Sequence, residues 1–273
     1  MALLQVNFVS QALMRTVPIQ VILPVDKCVP GQPPRTAPYP TLYLLHGVLG
    51  NYTDWVSGTR IQRWAEAHDL AVVMPSGDNR FYVDQPATHD LYGAFIGREL
   101  VEMTRRMFPL SHRRQDTFIG GLSMGGYGAL RGGLCYPETF GAIAALSSAN
   151  IPAMLDSCSD DAPQFFQQKR YLEALFGPLD RIAGSDKDPL ALADRLPADA
   201  RPRLYLACGL QDPLLPLNRA LAAGLQDRGL AVTYREAPGG HEWDFWDSQI
   251  RCVVDWLLPQ GGTDGLGSGN VGL

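Results

Sequence analysis

Residues 117–135 read TFIGGLSMGGYGALRGGLC, an apolar run that enters Gly-x-Ser-x-Gly and continues into a helix-compatible stretch stopped by Pro137. Few folds can use such a segment. The serine of Gly121-Leu122-Ser123-Met124-Gly125 is placed on a sharp strand-to-helix turn, with small residues on both sides so that neighbouring backbone can pass close by. A turn of this kind strains the backbone at the serine and exposes the hydroxyl at the end of a sheet. The bare pentapeptide recurs by chance, and a glycine-rich helix start is the competing reading. The strand before it and the helix after it make Ser123 a candidate nucleophile.

The rest of the chain supplies the sheet such a turn needs. Residues 3–9 and 14–23 alternate or run apolar and predict two antiparallel edge strands. Residues 30–40, with five prolines and Gly31, are a loop. Short apolar runs at 41–47, 70–75, 117–120, 142–148, 203–209 and 231–237 read as strands. They alternate with helices over 59–68, 91–107, 126–135, 214–228 and 243–258. Alternation of this kind predicts an α/β chain with a mostly parallel central sheet, helices on both faces and an antiparallel N-terminal edge. Residues 1–259 are expected to form a single domain, with 150–200 an insertion or cap of short helices and the glycine-rich 260–273 a flexible tail.

Composition narrows the partners. A formal net charge of -5 over 273 residues offers no broad basic face for nucleic acid or an anionic membrane. MALLQVNFVSQALMR lacks a basic n-region, and its apolar residues are interrupted by Gln5, Asn7 and Ser10, so neither a secretory signal nor a membrane span is expected. Cys28, Cys135, Cys158, Cys208 and Cys252 are an odd, scattered set without metal-ligand spacing, which predicts reduced thiols and a cytoplasmic location. A homo-oligomer is left open.

A serine hydroxyl needs a base. Of His46, His68, His89, His112 and His241, only His241 follows Ser123 in the chain, in the loop PGGHEW before the last helix. Chains built on this elbow order their triad as Ser, acid, His. The acid must therefore lie between, and Asp212 directly follows the strand ending at Cys208, with Pro213 able to open a helix; a helix N-cap is its competing reading. Asp194 and Asp199 lie in the irregular region and Asp227 within a helix. Two backbone N–H groups must hold the oxyanion. Met124 follows the nucleophile, and Val48 lies in the HG-x-x-G loop His46–Gly50 after a strand. The His46 side chain is expected to pack structurally. No metal and no cofactor is assigned.

With these residues in place, the chain resembles the esterase-D-like serine esterases of the α/β-hydrolase fold, closest to their tributyrin esterase branch. The segments that carry it are LYLLHGVLGNYTDW, VVMPSGDNRFYVD, FIGGLSMGGYGAL, LYLACGLQD and GGHEWDFW, colinear over about residues 3–258. The resemblance implies a cofactor-free carboxylesterase acting on a small ester with a short acyl chain, using Ser123, Asp212 and His241 as triad and Val48 and Met124 as oxyanion donors. Relatives include S-formylglutathione hydrolases, feruloyl and acetylxylan esterases, and mycolyltransferases, so thioester cleavage, plant-ester cleavage and acyl transfer are the alternatives. S-formylglutathione hydrolases usually read SMGGHGA; here Tyr127 stands where that histidine falls, which weakens the thioesterase alternative.

For the pocket, Trp55 stands at the family's tryptophan position and is expected either to wall the site or to pack in the core. Phe81 and Tyr82 follow a strand end, where ligands gather in open α/β sheets. Phe165, Phe166 and Tyr171 in the insertion are candidates to cover the acyl group, against packing onto the body. Trp243 and Trp246, one turn apart, are expected to be core anchors.

Overall fold

The computed structural model describes residues 1–33, 36 and 38–269. Strands β1 (Ala2–Ser10) and β2 (Arg15–Leu23) form a hairpin. There follow β3 (Thr41–Leu45), α1 (Asp54–Gly58), α2 (Ile61–Ala67), β4 (Ala71–Pro75) and a small ribbon of β5 (Asp84–Gln85) and β6 (Asp90–Leu91). Next come α3 (Tyr92–Ala94), a π-helical turn (Phe95–Glu99) and α4 (Leu100–Met107), which together occupy the helix expected over 91–107. Then come β7 (Thr117–Leu122), α5 (Met124–Cys135) and β8 (Ala142–Leu146). The stretch from 151 to 200 holds α6 (Ile151–Met154), α7 (Lys169–Phe176), α8 (Pro189–Arg195) and several 3-10 turns. The chain returns through β9 (Arg203–Gly209), α9 (Leu215–Asp227), β10 (Val232–Ala237) and α10 (Trp243–Leu257).

Eight strands form one sheet in the order β1-β2-β4-β3-β7-β8-β9-β10. Strands β4 to β10 in that order run parallel, and β2 meets β4 antiparallel, as the N-terminal edge was expected to do. Pleating explains why the central strands read as unbroken apolar runs. Tyr43, Val73, Ile119, Ile143 and Leu206 belong to the core on one face. Their neighbours Leu42, Val72, Phe118, Ala142 and Tyr205 belong to the core under α2 and α10 on the other. A strand buried on both sides needs apolar residues at every position.

The 151–200 stretch shares the first of these cores through Leu172, Leu175, Phe176, Ile182 and Leu192. At the C-terminus, Leu266 donates its N–H to the Cys28 carbonyl at 2.8 Å, and Gly265 and Gly267 lie against Glu66 of α2, in the segment expected as a loose tail; residues 270–273 fall outside the described residues. No helix among the described residues is long and apolar enough to cross a membrane. The topology lines up one edge of the sheet: the loops after β3, β7, β9 and β10 all leave from strand C-termini, where open α/β sheets collect ligands.

Candidate active site

Ser123 joins β7 to α5 with φ 53° and ψ −116°. A non-glycine residue there carries strain on the order of 1–3 kcal/mol. Tight packing holds it: the Ser123 N–H donates to Leu146 at 2.9 Å, and its carbonyl accepts from Tyr127 and Ala149, each at 3.1 Å. A side chain on Gly121 would run into the Gly125 backbone, and one on Gly125 into the carbonyls of Leu45 and His46. Both glycines of the pentapeptide are thus required by neighbouring backbone.

His241 Nε2 lies 3.0 Å from Ser123 Oγ, and His241 Nδ1 lies 2.9 Å from Asp212 Oδ2. The Asp212 carboxylate accepts only, so Nδ1 carries the proton and Nε2 presents its lone pair to the serine. The loops bearing the two residues are clamped together. Gly239 N–H donates to Gln211 Oε1 at 2.8 Å, and Gln211 N–H returns to the Gly239 carbonyl at 3.0 Å. Asp212 Oδ1 accepts from Leu214 N–H at 2.8 Å, a turn ahead of α9 whose N-cap is Leu214 itself, so the carboxylate holds its own loop and the histidine rather than capping the helix. Burial pushes this carboxyl's pKa up, but hydrogen bonds from His241, Ser147 and Leu214 outweigh burial and hold it below the usual range. It stays ionised where the histidine needs an acceptor.

Val48 and Met124 both line the hollow around Ser123. Met124 opens α5, and its N–H belongs to the first helical turn, where amides lack partners within the helix. A side chain on Gly47 would stand 3.5 Å from Ser123 Cβ, so the Val48 loop runs directly beside the nucleophile. That loop is tied to the 76–82 loop. Leu49 N–H donates to Asn79 Oδ1 at 2.8 Å, Tyr52 N–H to Ser76 Oγ at 3.2 Å, and Tyr82 hydroxyl to the His46 carbonyl at 3.0 Å. His46 packs structurally as expected: its Nε2 accepts Gly77 N–H at 2.8 Å, and its Nδ1 donates to the Gly47 carbonyl at 2.7 Å. Burial lowers its pKa and keeps the ring neutral.

The cavity over Ser123 measures about 600 Å³, within the range of small-molecule sites. Of the pocket candidates, Phe81 and Phe166 line it; Trp55, Tyr82 and Phe165 do not. Trp55 is only 1% exposed and donates its indole N–H to the Leu45 carbonyl at 3.0 Å, so it packs in the core beneath the oxyanion loop. Tyr82 is buried and serves that loop through its hydroxyl. Phe165 packs edge-on against Phe166 and Tyr171, and Tyr171 is bonded to the Asn79 carbonyl. Trp243 and Trp246, expected as core anchors, form part of the cavity wall, stacked edge-on with centroids 5.2 Å apart. Met154, Gln164, Gln167, Pro213 and Leu214 also reach the cavity, and the sequence carried no signal for them.

The other candidates lie elsewhere. His68 pairs with Asp255 at 3.1 Å and His89 meets the Gln11 carbonyl at 3.3 Å. Asp194 pairs with Arg228 at 3.0 Å. Among the described residues, no group of three or more His, Cys, Asp and Glu side chains is placed to hold a metal.

Residues 10–256 match the family model described as "Putative esterase". The chain is 43% identical over 263 residues to an acetyl esterase of Caldicellulosiruptor saccharolyticus, covering 94% of this chain and 98% of that protein. Its structure is similar to that of the fluorophosphonate-binding serine hydrolase F of Staphylococcus aureus, with a TM-score of 0.81 at 30% identity, covering 94% of this chain and 98% of that one. It is also similar to an S-formylglutathione hydrolase of Staphylococcus aureus, with a TM-score of 0.79, 30% identity and the same coverage.

Proposed function

This chain belongs to the esterase family and is a carboxylic ester hydrolase of α/β-hydrolase fold, and we propose that it cleaves short-acyl esters through Ser123, His241, Asp212 and an acyl-enzyme. The observation that carries this reading is the chain of contacts from Ser123 Oγ through the imidazole to Asp212, with Ser123 and His241 lining the cavity. His241 Nε2 takes the hydroxyl proton as Ser123 Oγ attacks the ester carbonyl. The negative charge that develops on the former carbonyl oxygen is held by the Val48 and Met124 amides. The C–O bond to the alcohol breaks, and His241 returns the proton to the leaving oxygen. Water then gives a proton to His241 as its oxygen attacks the acyl carbonyl, and His241 returns that proton to Ser123 Oγ as the bond to Ser123 breaks and the acid leaves.

Short acyl chains are proposed because apolar side chains stand between the cavity and the space beyond it. Phe81, Met154, Phe166 and Gln167 separate it from a hollow of about 10 Å³ lined by Ile151, Cys158 and Leu172, no more than about one water's worth of space. The 151–200 stretch thus acts as the cover over the acyl group. The acetyl esterase relative favours the same class of substrate. Tyr127, where S-formylglutathione hydrolases carry histidine, is buried, with its hydroxyl on the Lys187 carbonyl at 2.8 Å. A cytoplasmic location rests on the odd, scattered set of cysteines.

A panel of p-nitrophenyl esters from acetate to laurate, run beside feruloyl and S-formylglutathione substrates, tests the reading. The highest kcat/KM is expected on acetyl to butyryl esters. A preference for laurate, the feruloyl ester or S-formylglutathione would overturn it.

A further inference from the structure

Ser147 stands at the end of β8, fully buried, with its N–H on the Ala207 carbonyl at 2.7 Å. Its φ is 46°, a second strained position one strand away from Ser123. Trp246 of α10 donates its indole N–H to Ser147 Oγ at 3.1 Å. The same indole packs edge-on against the His241 ring, with centroids 5.0 Å apart and planes at 88°. An indole N–H can only donate, so it occupies a lone pair of the Ser147 hydroxyl and leaves that hydroxyl's proton for another acceptor. Ser147 is, with His241 and Leu214, among the groups that hold the Asp212 carboxyl's pKa down, and it also neighbours the Cys208 thiol.

We propose that Ser147 and Trp246 are positioning residues: the indole orients the Ser147 hydroxyl, and the hydroxyl fixes the Asp212 carboxylate against His241 Nδ1. The proposal rests on the triad proposed above. The arrangement braces the triad from behind, since Trp246 touches the imidazole with its ring and reaches the carboxylate through Ser147. The titratable groups about the carboxylate are His241 and Cys208. Burial, with Asp212 next, raises the Cys208 thiol to about 12, so it stays protonated beside the carboxylate. Across the cavity Asp54 faces from α1, and Glu242 follows His241 in its loop with Oε1 on Gly240 N–H at 2.8 Å.

The test is steady-state kinetics and a pH profile on p-nitrophenyl acetate for Ser147→Gly, Trp246→Phe and the double variant. Glycine is the right replacement because it accepts the positive φ that alanine would resist. Phenylalanine keeps a ring beside His241 and deletes only the donor. Ser147→Gly is expected to lower kcat about 10- to 100-fold, the span of a hydrogen bond to a charged group, with KM within about twofold. The acid limb of kcat/KM should move to lower pH, because a misplaced carboxylate stabilises the imidazolium less. The double variant should fall no further than the worse single one, as residues acting as a unit do. Wild-type kcat with an unmoved acid limb in Ser147→Gly, or losses that multiply in the double variant, would overturn the proposal. If Ser147→Gly does not fold, Trp246→Phe decides by the same kcat and acid-limb readouts. An inactive Ser123→Ala beside an unaffected Ser147→Gly removes this inference and leaves the triad standing; an active Ser123→Ala removes both.

Discussion

His46 Nε2 accepts the Gly77 backbone N–H at 2.8 Å, which joins the loop after β3 to the loop after β4 across the mouth of the site. The contact exists only while the ring is neutral, because a protonated imidazole has no lone pair to offer. Burial first, against the Gly47 hydrogen bond, sets the ring's pKa below its ordinary value. A histidine whose folded pKa is depressed binds its proton more readily in the unfolded chain. Its contribution to stability is therefore complete above the unfolded range near about 6.5 and declines as pH falls through it. Thermal melts between pH 8 and pH 5 should show this decline, and His46→Gln should flatten that part of the curve while costing about 1–3 kcal/mol at pH 8. An identical pH slope in the two proteins would remove His46 as its source.

Asp212 is expected to behave oppositely to its rivals. Asp212→Asn puts an amide against His241 Nδ1 and favours the wrong tautomer, so kcat should drop by roughly 10⁴-fold, as in serine-protease triads. Asp194, paired with Arg228 away from the cavity, should tolerate the same change within about twofold. Assays of both variants on p-nitrophenyl acetate decide. A large loss in Asp194→Asn alone would mean that the acid is misplaced.

Acyl selectivity should answer to Phe166 and Met154. Each methylene that fits adds about 0.8 kcal/mol of burial, whereas one that does not fit must displace packed side chains. The native enzyme is expected to fall steeply beyond about six carbons. Phe166→Ala or Met154→Ala joins the cavity to the hollow behind it and should move the optimum to longer chains. Efficient decanoate cleavage by the native enzyme would contradict a closed pocket.

Trp55 carries a different expectation from a wall residue. Trp55→Phe keeps the ring in the core but frees the Leu45 carbonyl at the root of the oxyanion loop. A several-fold loss of kcat with KM and chain-length preference unchanged is expected, since only the loop's placement is disturbed. A shifted acyl optimum in this variant would restore Trp55 to the pocket.

These contrasts show what could be read from the chain without coordinates. The strand, turn and helix around Ser123 were legible because local backbone sterics dictate the glycines. Asp212 is legible because it follows the apolar strand β9, and His241 because no other histidine follows Ser123 in the chain. Trp246 lies in the core, with Trp243 packed against it, as their spacing on one helix face predicts; their second role, in the cavity wall, has no signal in that spacing because the one face covers both core and cavity. Trp55 follows the oxyanion loop closely, yet its indole turns to Leu45, a choice made by packing against Trp243 at 5.7 Å. Met154 and Gln167 come from an irregular stretch whose position depends on long-range contacts with no local period.

The most direct measurement is turnover of p-nitrophenyl acetate by Ser123→Ala, with mass spectrometry of the native enzyme quenched during turnover. The account expects the folded variant to fall to near the uncatalysed rate, and an acetyl group on the peptide bearing Ser123 in the native protein. A correctly folded Ser123→Ala enzyme with native-like turnover, or an acetyl group carried by another residue in its place, would contradict it.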